Sequence, residues 1–455
     1  MPTSHDVRIW AIEPIARKRG TTYRVRWVVA GERFGETFGT FALADSHRSK
    51  LVTASREGEA FDVETGLPVS MRRDEVEVKP WFEFACEYAD MKWDDSSPKY
   101  RKSLAESLMT ITVPMLRSTY SGEPVVLRTA LKIAFNKNAR DRDQTPEVKH
   151  ALSFAAKASR NVGDLADPAV LRAVLRALEL KLDGQRAATN TVRIRRTTLV
   201  NTITYAVVER KLLQSNPLGA VTTKKRKFVL HEVDPRSVVN PIQARTLLNA
   251  VEETGKPGPP LVAFFALMYY AALRPEEALN LKKPDLDLPE SGWGDLNLGS
   301  ARPEVDESWT DSGQASEEGP LKHRTEEEGR KVPCSPELTA ILHDHLSRFG
   351  TAPDGRLFRG ARDGGRVGST VYGRVWAAAR ARAFTAEVAA GPLAKRPYDL
   401  RHAAVSTWLN GGVEPTRVAK WAGHSLSVLL RVYAKCLDGG EQTARDRVAK
   451  ALGGL

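Results

Sequence analysis

The chain has 455 residues, 42% of them hydrophobic and 27% charged, which is room for roughly two to four domains and too apolar for wholesale disorder. Its 68 Lys+Arg exceed 56 Asp+Glu, a formal net charge of +12, which favours a polyanionic partner such as nucleic acid; composition alone leaves membrane-surface binding open. Cys86, Cys334 and Cys436 are far apart without a CxxC pair, excluding a disulfide framework or zinc knuckle, and no stretch approaches the ~20 apolar residues of a membrane span, so a soluble, cytoplasmic, unprocessed protein is expected.

The fold class expected is multidomain and mainly α with small β-sheets (α+β). Residues 1–75 begin with period-2 alternation in "VRIWAIEPI", "TYRVRWVVA" and "FGETFGTF", so a three-stranded sheet is predicted. Tyr23, Val25 and Trp27 fall on one face, Arg24 and Arg26 on the other, and "ADSHRSKLVTASREGEAF" reads as one helix covering the apolar side. Over 80–219 the period becomes helical, and the last helix carries Arg193, Arg195 and Arg196 within one turn before Pro217 stops it. Basic residues clustered on one helix suit phosphate contacts. Residues 220–239, with Lys224, Lys225, Arg226 and Lys227 in a row, read as a basic interdomain linker able to track a polyanion.

The last domain, 240–455, opens at Asn240 and Pro241, a cap followed by a proline suited to the first helical position. "PLVAFFALMYYAAL" is apolar on all sides and must be buried. Strands follow, with a polar hairpin at about 290–320 and the strand "RKVPC", and then a run of helices. The helix "LSVLLRVYAKC" is expected to bury Leu426, Leu429 and Leu430, and "EQTARDRVAKALGGL" reads as a terminal amphipathic helix with Ala444, Val448 and Leu452 in register.

Three stretches of this domain stand in order: "AALRPEEALNL", "LKHRTEEEGRKVPCSPEL" and "YDLRHAAVSTWLNGGVEPTRVAKWAGHSLSVLLRVY". Together they resemble the tyrosine recombinase, or phage integrase, family over roughly residues 240 to 440. The resemblance rests on Arg274 with Glu277 three residues on, the hairpin Lys322, the LRH arginine Arg401, the GH histidine His424, and Tyr433 nine residues beyond it. Each motif is weak alone; the joint order and spacing are specific.

The resemblance implies that Tyr433 attacks a DNA phosphodiester, forming a 3′-phosphotyrosyl link and releasing a 5′-hydroxyl. Arg274 and Arg401 would hold the non-bridging oxygens, since guanidinium is a planar donor fork that stays protonated. Lys322 would protonate the departing oxygen, with Lys331, His323, Arg324 and Arg330 sharing its hairpin, and His424 would assist as a donor or proton shuttle. Glu277 would buttress the site. Because the covalent link retains the bond energy, neither ATP nor a metal nor another cofactor is expected.

One position departs from the pattern: the histidine usual three residues before the second arginine is here Tyr398, and a phenol does not carry an imidazolium's charge. His402 is no simple replacement, since adjacent helical residues point about 100° apart. By the same resemblance, the first domain is similar to arm-type DNA-binding domains and 80–219 to the helical core-binding domain. The partners expected are double-stranded DNA attachment sites, a homotetramer on DNA and an accessory directionality factor. The reading is thus a site-specific recombinase that integrates or excises a mobile element. A chromosome-dimer-resolving recombinase and a nicking topoisomerase are neighbouring readings. A DNA-binding regulator with a vestigial site is the alternative outside catalysis.

Overall fold

A computed structural model describes residues 2–17, 20–71, 78–221, 232–322, 329–361, 364–433, 436 and 441–452. By its contacts the chain divides into two compact units, Met1–Lys79 with Ala206–Ser215, and Pro80–Tyr205 with Asn216–Leu455.

In the first unit the strand Gly20–Val29 is the hub of an antiparallel sheet. Val7–Ile9 and Glu13–Arg17 pair along one of its edges and Glu32–Phe38 along the other. The first predicted strand is therefore broken at 10–12 into two short pieces on the same edge. Ala30 and Gly31, at φ 50° and 88°, make the turn into Glu32–Phe38; positive φ at both central positions matches the twist of a two-residue hairpin. Val25, Trp27 and Val29 are buried together with Ala44, Leu51 and Ala54 of the helix Phe41–Arg56, while Arg24 and Arg26 face outward. Thr40 caps that helix and it ends at Arg56, two residues before Gly58 at φ 73°. It is shorter than expected: Phe61–Asp62 is a strand paired with Thr3–Ser4.

The second unit is mainly helical. The helices Pro98–Thr112, Pro146–Ala158 and Pro168–Leu178 each start on a proline preceded by a capping Ser97, Thr145 or Asp167, so the donors their first turns leave unpaired are partly satisfied by side chains. In the same way Asn240 and Gln243 form a reciprocal capping box on Pro241–Glu252. The helix Val262–Tyr270 is buried along nearly its whole length and forms the centre of a core shared with Pro336–Phe349, Ser369–Ala383 and Asp399–Asn410. Arg330–Cys334, Gly294–Leu298 and Leu286–Asp287 make a three-stranded antiparallel sheet in that order. A second apolar cluster, with Val405, Val418, Ala422, Leu429 and Tyr433, joins the helices Asp399–Asn410, Pro415–Ala422 and Leu426–Tyr433.

Candidate active site

Five loops and helix ends of the second unit bring their polar side chains to one place. Ala272, at φ 51°, turns the chain as it leaves the buried helix Val262–Tyr270, and its carbonyl accepts a hydrogen bond from Arg401 Nη1. An alanine held in the left-handed region costs about 1–2 kcal/mol, which the surrounding packing must offset. Arg274 follows and precedes the short helix Pro275–Ala278; its backbone N–H donates to Glu277 Oε2 at 2.8 Å and its Nη1 to Glu277 Oε1 at 2.6 Å.

Glu277 is a hub. Besides Arg274 it takes a bidentate pair from Arg330, at 3.1 and 2.7 Å, and Arg401 Nη1 lies 3.9 Å away. Burial pushes its carboxyl upward, but Arg330, Arg274 and Arg401 outweigh that and hold it at about 2. Three guanidiniums thus face one carboxylate in a desolvated cluster, and the site carries an excess of positive charge that an oxyanion would complement.

Arg401 is wholly buried, its guanidinium donating to the carbonyls of Ala272 and Ala422 while Nη2 lies 2.9 Å from His424 Nε2. An arginine always donates, so His424 Nε2 is the acceptor and the ring's proton sits on Nδ1. That Nδ1 is buried without a partner among the described residues. Burial, with Arg401 and Arg274 adding to it, holds His424 down at about 3, so the ring is neutral. Gly423, at φ 66°, ends the helix Pro415–Ala422, and its carbonyl accepts from Arg274 Nη2 at 2.9 Å. A β-carbon there would collide with the Arg330 guanidinium, so glycine is needed for space as well as for conformation.

Tyr433 ends the helix Leu426–Tyr433 and is 1% exposed. Its hydroxyl lies 2.9 Å from His402 Nδ1, and its ring centre is 6.0 Å from that of His424. Burial raises the phenol well above its ordinary value despite the opposing pull of Arg401 and Arg274. Tyr398 and His402, four residues apart, share one face of the helix that begins at Asp399, their rings meeting edge to face at 5.2 Å. The expected apolar side of the tyrosine's helix is partly wrong. Leu429 is buried with Tyr433, whereas Leu426 and Leu430 are exposed, because the buried stripe follows the i, i+4 pair that ends on the tyrosine.

Of the predicted site residues, Arg274, Glu277, Tyr398, Arg401, His402, His424 and Tyr433 converge. Lys322 is exposed in the turn after Gly319–Pro320 and makes no side-chain contact with them among the described residues, and His323 and Arg324 lie outside the described residues. The hairpin cation that enters the cluster is Arg330. The strand Arg330–Cys334 alternates, burying Arg330, Val332 and Cys334 while Lys331 points out to pair with Asp295 at 2.9 Å. That period-2 pattern was available in "RKVPC" and would have picked out Arg330.

Among the expected DNA contacts, Arg24 and Arg26 are exposed, Arg26 pairing with Glu13 at 3.1 Å. Arg193 is exposed beside Asn190, and Arg196 is half-buried. Arg195 is turned inward and donates to the carbonyls of Leu178 and Leu180 at 3.2 and 2.8 Å, which leaves its Nη1 engaged in closing the end of the helix Pro168–Leu178. Lys224 and Lys225 lie outside the described residues. Among the described residues no group of histidines, cysteines and carboxylates is placed to hold a metal ion, and no helix is long and apolar enough to cross a membrane.

No family model and no curated protein sequence matches the chain. Among solved structures, a Tn1549 transposon integrase in complex with transposon right end DNA is similar at TM-score 0.49 and 16% identity, over 82% of this chain and 99% of that one. The XerH site-specific recombinase bound to difH substrate is similar at TM-score 0.40 and 12% identity, over 77% and 94%. A lambda integrase tetramer bound to a Holliday junction is similar at TM-score 0.41 and 12% identity, over 91% and 94%. These neighbours are tyrosine recombinases, the family that the sequence motifs resemble.

Proposed function

We propose that the chain is a site-specific DNA recombinase of the tyrosine type, and that Tyr433 is its nucleophile. The observation that carries the reading is the placement of the Tyr433 hydroxyl on the His402 ring and of its own ring beside that of His424, which contacts Arg401, one of three guanidiniums that share a single carboxylate. A phosphodiester brings one negative charge, and more charge shifts onto the equatorial oxygens of the transferring group, so pre-positioned cations favour the transition state over the empty site.

In this reading Tyr433 Oη attacks phosphorus, the bond to the 5′-oxygen breaks, and a 3′-phosphotyrosyl link forms. Arg274 and Arg401 supply the charge over the non-bridging oxygens, Glu277 and Arg330 fix Arg274, and the His424 Nδ1–H donates to the bound phosphate. Lys322, from its exposed turn, is the acid for the 5′-oxygen. Religation reverses the steps without ATP or a metal. The proposal extends to a division of labour along the chain, with 1–75 and 80–219 gripping DNA and 240–455 cutting it. It also extends to a tetramer acting on paired attachment sites, a directionality factor and a role in moving a mobile element.

Tyr398 in place of the usual histidine favours a second reading, a DNA-binding regulator whose site no longer cuts. A suicide substrate nicked near the cleavage point separates the two. The recombinase yields a denaturant-resistant adduct that Tyr433→Phe abolishes, whereas a regulator binds the same DNA and yields none. A topoisomerase would form the adduct but would relax DNA as a monomer, without paired sites.

A further inference from the structure

Resting on the reading of Tyr433 as nucleophile, we propose that His402 is a catalytic residue that removes the Tyr433 proton during attack and returns it during religation. Nδ1 of His402 is 2.9 Å from the Tyr433 hydroxyl, within the range a general base needs, and the two ring centres are 5.7 Å apart. The geometry is held from both sides. His402 sits within the helix Asp399–Asn410, braced by the edge-to-face contact with Tyr398, and Tyr433 is packed into the apolar cluster beneath.

The other groups at the site are committed elsewhere. His424 accepts from Arg401 on Nε2 and has only its Nδ1–H left, so it donates. Arg274, Arg330 and Arg401 carry no lone pair to offer, and the Glu277 carboxylate is occupied by Arg330 and Arg274. Tyr398 is a phenol. Among the described residues, His402 is the group that combines an acceptor nitrogen with contact to the hydroxyl.

Its protonation state suits the task. Burial, with Arg401 and Arg396 adding to it and Asp399 opposing, holds His402 at about 4, so at neutral pH the ring is neutral, and its Nε2–H tautomer leaves Nδ1 to accept from the Tyr433 hydroxyl. An arriving phosphodiester adds negative charge beside this ring and favours the imidazolium. The step balances. The Oη–H bond breaks and its proton goes to Nδ1, the Oη–P bond forms, and the P–O5′ bond breaks with the 5′-oxygen protonated from Lys322. On religation the 5′-hydroxyl gives its proton back to Lys322 as its oxygen attacks phosphorus, the P–Oη bond breaks, and the imidazolium returns its proton to the departing phenolate. Tyr398 and His402 lie one helical turn apart on one face, so an imidazole is supplied one turn along from the position that Tyr398 holds.

The test uses the full chain and the nicked suicide substrate, with His402→Gln and His402→Ala beside the wild type, and urea unfolding and DNA affinity as controls for folding. Both variants are expected to bind DNA normally and to form the adduct ~10²–10⁴-fold more slowly, the contribution of a positioned base. Added imidazole is expected to restore part of the rate to His402→Ala, which a merely structural role would not allow. On a substrate with sulfur in the 5′-bridging position, which leaves without an acid, the loss is expected to persist. Variants that cut as fast as wild type, or a loss erased by the sulfur substrate, overturn the proposal. A wild type that forms no adduct overturns the nucleophile reading beneath it.

Discussion

Gly423 and Arg330 occupy one another's space: the Arg330 guanidinium fills the volume that a side chain at 423 would take, and the Gly423 carbonyl holds Arg274 Nη2 at 2.9 Å. The turn after the helix Pro415–Ala422, which delivers His424, is thereby coupled to the strand that delivers Arg330. Gly423→Ala has to strain φ 66° and displace Arg330 together. A loss of about 1–2 kcal/mol is expected from the backbone alone. Adduct formation should fall further than stability does, as the cations lose register. Urea midpoints and single-turnover cleavage on the same preparation check this; a variant as stable and as active as wild type would show that the turn tolerates a β-carbon.

Arg330 and Lys331 are adjacent, yet opposite effects are expected of them. Arg330 is buried and bidentate on Glu277, whereas Lys331 is exposed with its ammonium on Asp295. Arg330→Ala leaves the Glu277 carboxylate half-paired in a dry site and is expected to cost ~3–5 kcal/mol. Arg330→Lys keeps the charge but loses the fork, so Arg274 should be misplaced and cleavage should fall while DNA affinity holds. Lys331→Ala is expected to change stability by no more than ~0.5 kcal/mol. Equal effects at the two positions would contradict the alternation on which this rests.

Acid should unfold the protein in two overlapping stages. His402 and His424 are neutral when folded, at about 4 and about 3 against an ordinary 6.5. Below that ordinary value the unfolded chain binds protons the folded one refuses, so stability falls as pH drops through 6.5. Glu277 acts lower. Its folded value of about 2 against an ordinary 4.5 stabilises the fold fully above 4.5 and is lost as pH falls toward 2, worth about 3 kcal/mol in all. Urea midpoints between neutral pH and the acid limit should decline more gently in His402→Gln over the upper part of this range and in Glu277→Gln over the lower part. Parallel curves for all three proteins would mean that these groups are not perturbed as the site implies.

Why some of this was readable from sequence and some not follows from which interactions are local. Alternation at Val25, Trp27 and Val29 depends on neighbours one residue away, and caps such as Asn240 with Gln243 on neighbours three away, so both could be read directly. The spacing from Arg401 to Tyr433 carried the site because its helices are short and their turns fixed. Arg330 stands in the sequence as one of several hairpin cations, and only the period-2 alternation in "RKVPC" separates it as the buried one. His402 stands in the sequence as a possible auxiliary residue only, because its place one turn from Tyr398 on the same face matters once the Tyr433 helix packs beside it. The outward turn of Leu426 and Leu430 depends on which stripe the helices around Ala272 and Val405 bury, and no local pattern states that.

A last relationship ties the helix Pro98–Thr112 to the polar segment that ends in Asp311. Arg101 is buried; it makes a bidentate pair with Asp311 at 2.8 and 2.7 Å, donates to the carbonyls of Trp93 and Trp309, and lies 4.5 Å from the centre of the Trp93 ring. The Asp311 side chain is 61% exposed, so the two partners are not equivalent. Asp311→Ala strands a buried guanidinium without its counter-charge, a situation that typically costs ~3–5 kcal/mol. Arg101→Met removes the charge, keeps much of the stem's packing on Trp93, and frees Asp311 into water; two carbonyls lose a donor, for a cost of ~2 kcal/mol. The aspartate variant is therefore expected to be the less stable of the two in urea, and the double variant to sit close to Arg101→Met. An additive double variant would mean that the pair is not coupled and that Asp311 contributes as an ordinary surface carboxylate.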